Sequence, residues 1–295
     1  MAFPSRVFLT DVCMRDGFRA ESQVLSLDQK TRIGEALIAA GIGRLEATAF
    51  LAPHAVPQLA DAADLIARLK APGVELGALV PNVNGAWRAI AAGVDRITVA
   101  IAASETFSLK SQQRTIASNL EFLDQVGRIA ADARVSLRGE VAATFGCPYE
   151  GDVSGDGVLR AVDGLVAIGV EEVVLADSAG MATPPLVTEV LERVRIRHPQ
   201  LNLALRLDDV RGLGLVNVMR GLELGVDRFE AALGGLGGLC SEDLVYLIEQ
   251  LGIDTGVSLD ALIAAAQSVR DLVGHELPGH LLKVGPRRPC HDRDR

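Results

Sequence analysis

The chain is predicted to be an α/β protein of the (β/α)8, or TIM-barrel, class with an extra C-terminal helix, on three observations. First, amphipathic stretches rich in small residues end in Gly, and a Val or Ile follows that opens a short apolar run. This occurs at Gly41-Ile42, Gly73-Val74, Gly93-Val94, Gly169-Val170 and Gly225-Val226. Glycine suits a helix C-terminus because it enters the left-handed region without a Cβ clash, and a β-branched residue suits a buried strand. Second, strand and helix patterns alternate strictly, which demands parallel pairing with each crossover covered by its helix. Third, no GxGxxG follows the first strand, which sets aside a doubly wound open sheet.

Taken in order, the apolar, β-branched runs place strands at Arg6–Val12, Arg44–Thr48, Val74–Val80, Asp95–Ala102, Val135–Ala142, Glu172–Ala176, Leu201–Leu207 and Asp227–Ala231. Helical periodicity between them predicts Leu27–Ala40, Ala55–Lys70, Asn82–Ala92, Gln112–Ala133, Gly157–Ile168, Pro184–Arg197, Val210–Leu224 and Ser241–Gln250. Leu259–Val273 reads as the extra amphipathic helix. No linker or composition shift divides residues 1–284, and Gly285–Arg295, rich in Pro, Arg and Asp, reads as a mobile tail.

With 49% hydrophobic, 4% aromatic and 23% charged residues, the 295-residue chain has the make-up of an ordinary globular protein, not of a disordered or disulfide-stapled one. The net charge of −9 argues against general nucleic-acid or membrane-surface binding, while leaving room for a local basic pocket that takes an anionic small molecule. Cys13, Cys147, Cys240 and Cys290 are scattered without metal or CxxC spacing, as expected of reduced thiols in a cytoplasmic protein. No signal-peptide pattern opens the chain, and no apolar run approaches the roughly 20 residues of a membrane helix.

In such barrels the chemistry gathers at the C-terminal ends of the strands. Those ends carry a markedly polar set here: Asp11, Arg15 and Asp16; Glu46 and Thr48; Asn82; Ser104 and Glu105; Glu140 and Thr144; Asp177 and Ser178; and Arg206, Asp208 and Asp209. Charges converging on one mouth must be paired, metal-bound or substrate-bound, because isolated buried charge is costly.

The segment Asp11–Gly17, followed by Leu45-Glu46-Ala47-Thr48-Ala49-Phe50, resembles the 3-hydroxy-3-methylglutaryl-CoA lyase family of barrel metallolyases. The likeness continues through Val80-Pro81-Asn82, Ala103-Ser104-Glu105 and Arg138-Gly139-Glu140-Val141. It is most specific at Gly146-Cys147-Pro148-Tyr149-Glu150-Gly151, and runs on through Ala176-Asp177-Ser178-Ala179-Gly180, Gly235-Leu236-Gly237-Gly238, Glu242–Tyr246 and Glu276-Leu277-Pro278-Gly279. The resemblance implies the same barrel, a homodimer, and a retro-aldol cleavage in which a divalent cation (Mg2+ or Mn2+) and an arginine stabilise developing negative charge. It further implies Asp16 as a metal ligand, Arg15 as the enolate-stabilising arginine, and Glu46 and Asp177 as supporting acids.

This sequence departs from the family in the chemistry. Where the family carries His-x-His-Asp on strand 7, with two metal-binding histidines, the run here is Arg206-Leu207-Asp208-Asp209. A guanidinium is permanently protonated and has no lone pair to offer a metal. The Gly-rich loop after strand 8 is shortened and lacks the family's catalytic cysteine and metal-binding asparagine, with Cys240 falling beside the next helix. Phe18-Arg19-Ala20-Glu21-Ser22 replaces the residues that help the family bind CoA.

Three readings follow. The first is a divergent carbon–carbon lyase acting on a small carboxylate or acyl thioester, including CoA thioesters, with Arg206 replacing the metal charge by pairing with Asp16 and Asp208. Arg15 and Arg206 form its anion site, Asp16, Glu46, Asp177 and Asp208 complete the catalytic set, and Asn82, Ser104, Glu140, Thr144 and Asp209 bind substrate. The second is the standard metal-dependent lyase, whose remaining oxygen donors are Asp16 and Asp208. The third is a silent homologue kept as a binding subunit. Cys13 and Cys147 read as small buried thiols and Trp87 as a packing residue. His54 reads as a loop residue, and His275, His280 and His291 lack metal-ligand spacing.

Overall fold

The computed structural model describes residues 3–52 and 54–286. The predicted tail beyond residue 286, with Cys290 and His291, lies outside the described residues. Eight parallel strands close into a barrel in sequence order, β1 paired with β8 as well as β2. They are β1 Phe8–Asp11, β2 Arg44–Ala49, β3 Glu75–Leu79, β4 Arg96–Ala102, β5 Ser136–Ala142, β6 Glu172–Ala176, β7 Asn202–Arg206 and β8 Arg228–Ala231. The helices are α1 Phe18–Ala20, α2 Leu27–Ala39, α3 Ala62–Leu69, α4 Val83–Ala92, α5 Glu105–Gln112, α6 Ile116–Ala133, α7 Gly155–Ala167, α8 Pro184–Arg197, α9 Gly214–Glu223, α10 Ser241–Gln250, α11 Leu259–Val273 and α12 Leu281–Val284. Among the described residues, no helix is long and apolar enough to cross a membrane.

All five punctuating glycines take positive φ, between 78° and 97°, which is why Gly is required there. Helix starts are equally local: Ser26 and Gln29 form a reciprocal capping box on α2, and Asn82, Ser104, Thr115 and Ser154 each cap a later helix through the side chain.

Three predicted helices differ in extent. The Ala55–Lys70 pattern is helical only from Ala62, after a 3-10 turn at Pro57–Leu59. The Gln112–Ala133 pattern begins late, because Gln113 adopts φ 56° and separates α5 from α6, which restarts on the Thr115 cap. The Val210–Leu224 pattern starts at Gly214 because Asp209 and its neighbours form a loop first. Trp87 does not pack away: it is 54% exposed on α4.

The apolar core lies between barrel and helices, with Leu45, Ile97, Leu165, Leu191 and Phe229 among its buried residues. Ion pairs run through the barrel interior. Arg138 of β5 reaches Glu230 of β8 and Glu172 of β6 (Nε–Oε1 2.6 Å), while Arg96 of β4 reaches Glu75 and Glu46 (Nη2–Oε2 3.3 Å). Arg96 and Arg138 are each 1% exposed, so their charge survives only through these partners. Burial and the neighbouring Arg138 bring Arg96 down to about 10, still charged at neutral pH.

Candidate active site

The chain leaves β1 through one wide helical turn, Cys13–Gly17, every residue of which is buried. The turn is tied down from below. Asp11 accepts the Cys13 backbone N–H at 2.9 Å and the Ser241 hydroxyl at 2.7 Å. Asp11 therefore does not face the mouth, contrary to its position at a strand end. Gly237 (φ 90°) packs on the turn from the loop after β8, so closely that a Cβ there would lie 2.9 Å from the Gly17 nitrogen. These contacts aim Arg15 and Asp16 across the barrel mouth.

Arg206, at the end of β7, meets them. Its Nη2 lies 2.7 Å from Asp16 Oδ2 and donates to the Gly237 carbonyl at 3.2 Å, while Nη1 donates to Glu140 Oε1 at 3.4 Å. Arg15 contacts the same two carboxylates, 2.6 Å from Asp16 Oδ2 and 3.2 Å from Glu140 Oε2. Two guanidiniums thus share two carboxylates. Glu46 lies one layer deeper, fully buried, 3.5 Å from Arg15 Nη1 and accepting from the Thr98 hydroxyl at 3.0 Å. Burial works against the charge of Asp16, but Arg15 and Arg206 outweigh it and hold the carboxyl at about 2. Burial likewise opposes the charge on Arg206, and Asp16 with Glu140 overcomes it, raising its pKa. The expected Arg206–Asp208 pair does not form. Asp208 Oδ1 instead accepts the Val210 N–H at 2.8 Å, and Glu140 takes its place beside Arg206.

Above this quartet opens a cavity of about 1250 Å³ lined by Arg15, Asp16, Glu140, Asp177, Arg206, Asp208 and Asp209, along with apolar residues such as Leu51, Val80 and Pro81. The acids on its far side hold loops. Asp177 accepts from the Met181 and Ala182 N–H groups at 2.8 and 3.0 Å, and Asp209 from Gly214 N–H at 2.7 Å. Burial raises Asp177 against those bonds, with Asp208 adding to the rise. Asn82, Ser104 and Thr144 do not line this cavity. Asn82 and Ser104 accept the Gly85 and Phe107 N–H groups as helix caps, and Thr144 donates to the Val141 carbonyl. Glu46 is also absent from its surface.

Sequence reading missed Glu230 and Arg138 as site residues; each sits two residues from a second charge on the same strand, a spacing that puts both on one face. It also set aside His280, which lines the cavity. Burial, with acidic neighbours, drives Cys13 and Cys240 well above the ordinary thiol range, and Cys147 is buried against the Ser104 hydroxyl.

The carboxylate the family resemblance implies as a metal ligand is already engaged by arginine. Asp16 Oδ2 already faces two guanidiniums, Arg206 occupies the ground between β7 and the first turn, and a second cation there would be repelled. Among the described residues, no three His, Cys, Asp or Glu side chains converge in a way that would hold a metal.

The HMGL-like family pattern matches residues 6–269. The hydroxymethylglutaryl-CoA lyase of Bacillus subtilis is 34% identical over 96% of this chain and 99% of its own length. The crystal structure of hydroxymethylglutaryl-CoA lyase from Pseudomonas aeruginosa superposes with a TM-score of 0.94 at 33% identity, covering 96% of this chain and 98% of that one. An HMG-CoA lyase from Acinetobacter baumannii, solved with coenzyme A and 3-methylmalate, matches with the same score and identity over 100% of both chains. On a match of this extent, the chain belongs to the HMGL-like family.

Proposed function

We propose that the protein is a carbon–carbon lyase of the hydroxymethylglutaryl-CoA lyase type, cleaving a β-hydroxy acyl thioester or a related small carboxylate by retro-aldol chemistry. Arg15 and Arg206 supply the positive charge for which the family resemblance implies a divalent cation. One observation carries this reading: the Arg206 guanidinium sits on Asp16 Oδ2 at 2.7 Å, an oxygen that Arg15 also contacts at 2.6 Å.

A retro-aldol cleavage releases an enolate, and its barrier falls when a preorganised cation faces the oxygen that gains charge. Asp16 and Glu140 hold both guanidinium planes in place before substrate arrives, so little reorganisation accompanies the reaction. Arg15 keeps two buried donors, Nε and Nη1, outside any hydrogen bond, and Glu46 balances it from beneath. Asp177, Asp208 and Asp209 shape the mouth through the loops they tie. Asn82, Ser104 and Thr144 act on substrate only through the helix starts and turn they hold. The substrate partner is a small anionic acyl compound, with a CoA thioester favoured by the relatives' names, and the reading places the protein in the cytoplasm.

The likeness to named lyases along the whole chain favours the metal-dependent form as the second reading. Purified protein, stripped of metal and supplied with hydroxymethylglutaryl-CoA, decides between them by chromatography of the acyl-CoA products. Acetyl-CoA formed in chelator supports the proposal, and turnover only after Mg2+ or Mn2+ addition supports the second reading. Absence of turnover in both leaves the binding-subunit reading.

A further inference from the structure

The two-arginine site stabilises negative charge, and the acids around it are already engaged with guanidinium or backbone N–H groups. Asp16 and Glu140 are clamped by guanidiniums, and Asp177, Asp208 and Asp209 each accept backbone N–H groups. Among the described residues, no cysteine lines the cavity. His280 does, carried there by the segment after α11, where the Gly279 N–H donates to the Gly234 carbonyl at 3.1 Å.

The His280 side chain is 70% exposed at the cavity rim, but one edge of its ring is tied down. Its Nδ1 lies 2.9 Å from Oδ2 of Asp243, a carboxylate on α10 that is only 5% exposed. The same carboxylate accepts the backbone N–H groups of His280 and Leu281, at 2.8 and 2.9 Å. A carboxylate only accepts, so the imidazole must present Nδ1–H to it. Its lone pair is then left on Nε2, which makes no hydrogen bond among the described residues. Lys283, also beside this segment, points to the Pro278 carbonyl at 3.5 Å.

We infer that His280, oriented by Asp243, is the acid–base residue of the cavity, and Asp243 its positioning residue. The inference rests on the lyase reading and adds the missing proton carrier. Nε2 takes the proton of the substrate β-hydroxyl, and the O–H electron pair becomes the new carbonyl π bond. The carbon–carbon bond breaks, and its pair passes into the thioester as an enolate facing Arg15 and Arg206. The imidazolium then returns its proton to the enolate carbon, giving an acetyl thioester and a carbonyl product with no net redox change.

Two measurements test this. Imidazole 15N NMR of the full chain should show His280 as the Nδ1–H tautomer, and in Asp243→Asn that preference should be lost; an Nε2–H tautomer in the unmodified protein overturns the dyad. His280→Gln leaves the backbone anchors on Asp243 in place. With hydroxymethylglutaryl-CoA it should lose about 100-fold in kcat with little change in KM, and the acidic limb of the pH–rate profile should vanish. Unchanged kcat and an unchanged profile overturn the inference. No turnover by the unmodified protein overturns the lyase reading and this role with it, while the tautomer still decides whether the dyad exists.

Discussion

Replacing Arg206 by Gln keeps a polar side chain of similar reach but removes one of the two cations at the mouth. The effect on stability is modest. The displacement of Asp16 from 3.8 to about 2 corresponds to about 2 kcal/mol of favourable interaction at neutral pH, which Arg206 shares with Arg15. Glu140 and Glu230 retain Arg15 and Arg138 as partners. A loss of about 1–2 kcal/mol in urea unfolding at pH 7 is therefore expected. Catalysis should suffer more, because a preorganised charge facing a developing enolate is worth on the order of 3 kcal/mol, roughly 100-fold in kcat. Release of acetyl-CoA from hydroxymethylglutaryl-CoA, followed chromatographically, reads that loss. Arg206→Lys keeps the charge without the two-pronged geometry and should fall between. Turnover by the Gln variant within about three-fold of the unmodified protein, where a hundred-fold loss is expected, would refute the reasoning.

Three further outcomes follow from the same geometry. Burial raises Glu242 to about 7 and Asp11 to about 6, so the folded state holds these protons more tightly than the unfolded chain. Their contribution is fully present below the unfolded carboxyl pKa of about 4 and is gone once pH passes about 7, so stability by thermal or urea unfolding should fall between about pH 4 and 7.5. Glu242→Gln should flatten that fall by roughly 2–3 kcal/mol; an equally steep fall in the variant contradicts the assignment. Gly237→Ala forces a Cβ against the Gly17 nitrogen at 2.9 Å and strains a φ of 90°. It should cost about 1–3 kcal/mol of stability and lower turnover by displacing Arg15 and Asp16, and wild-type melting would count against the packing role. Converting Arg206 and Asp208 together to His should create Mn2+ binding measurable by calorimetry, which neither single variant achieves.

Much of the fold was legible because its signals are local. Gly93 and Gly169 take the left-handed turn their positions announced, and Ser26 with Gln29 caps α2 without help from tertiary contacts. The site was legible only in part, because residues of the same type at strand ends do two jobs. Asn82 and Ser104 follow strands as Arg15 and Asp16 do, yet they cap the next helix instead of facing the cavity. Arg206 was found as a break in a motif and its pairing with Asp16 was expected, but its second partner was misjudged. Asp208 is two residues away in sequence, whereas Glu140 comes from β5 across the barrel, a neighbour that only closure of the sheet creates. His280 was seen but set aside for a similar reason: its orientation depends on Asp243, on a different helix.

The central claim is that guanidinium charge serves here where the family resemblance implies a metal ion. The most direct measurement is the rate of hydroxymethylglutaryl-CoA cleavage by metal-stripped protein, with and without added Mg2+ or Mn2+. Equal rates in chelator and in excess cation, both abolished by Arg206→Gln, are the predicted result. Activity that appears only with the cation and survives loss of Arg206 would contradict it.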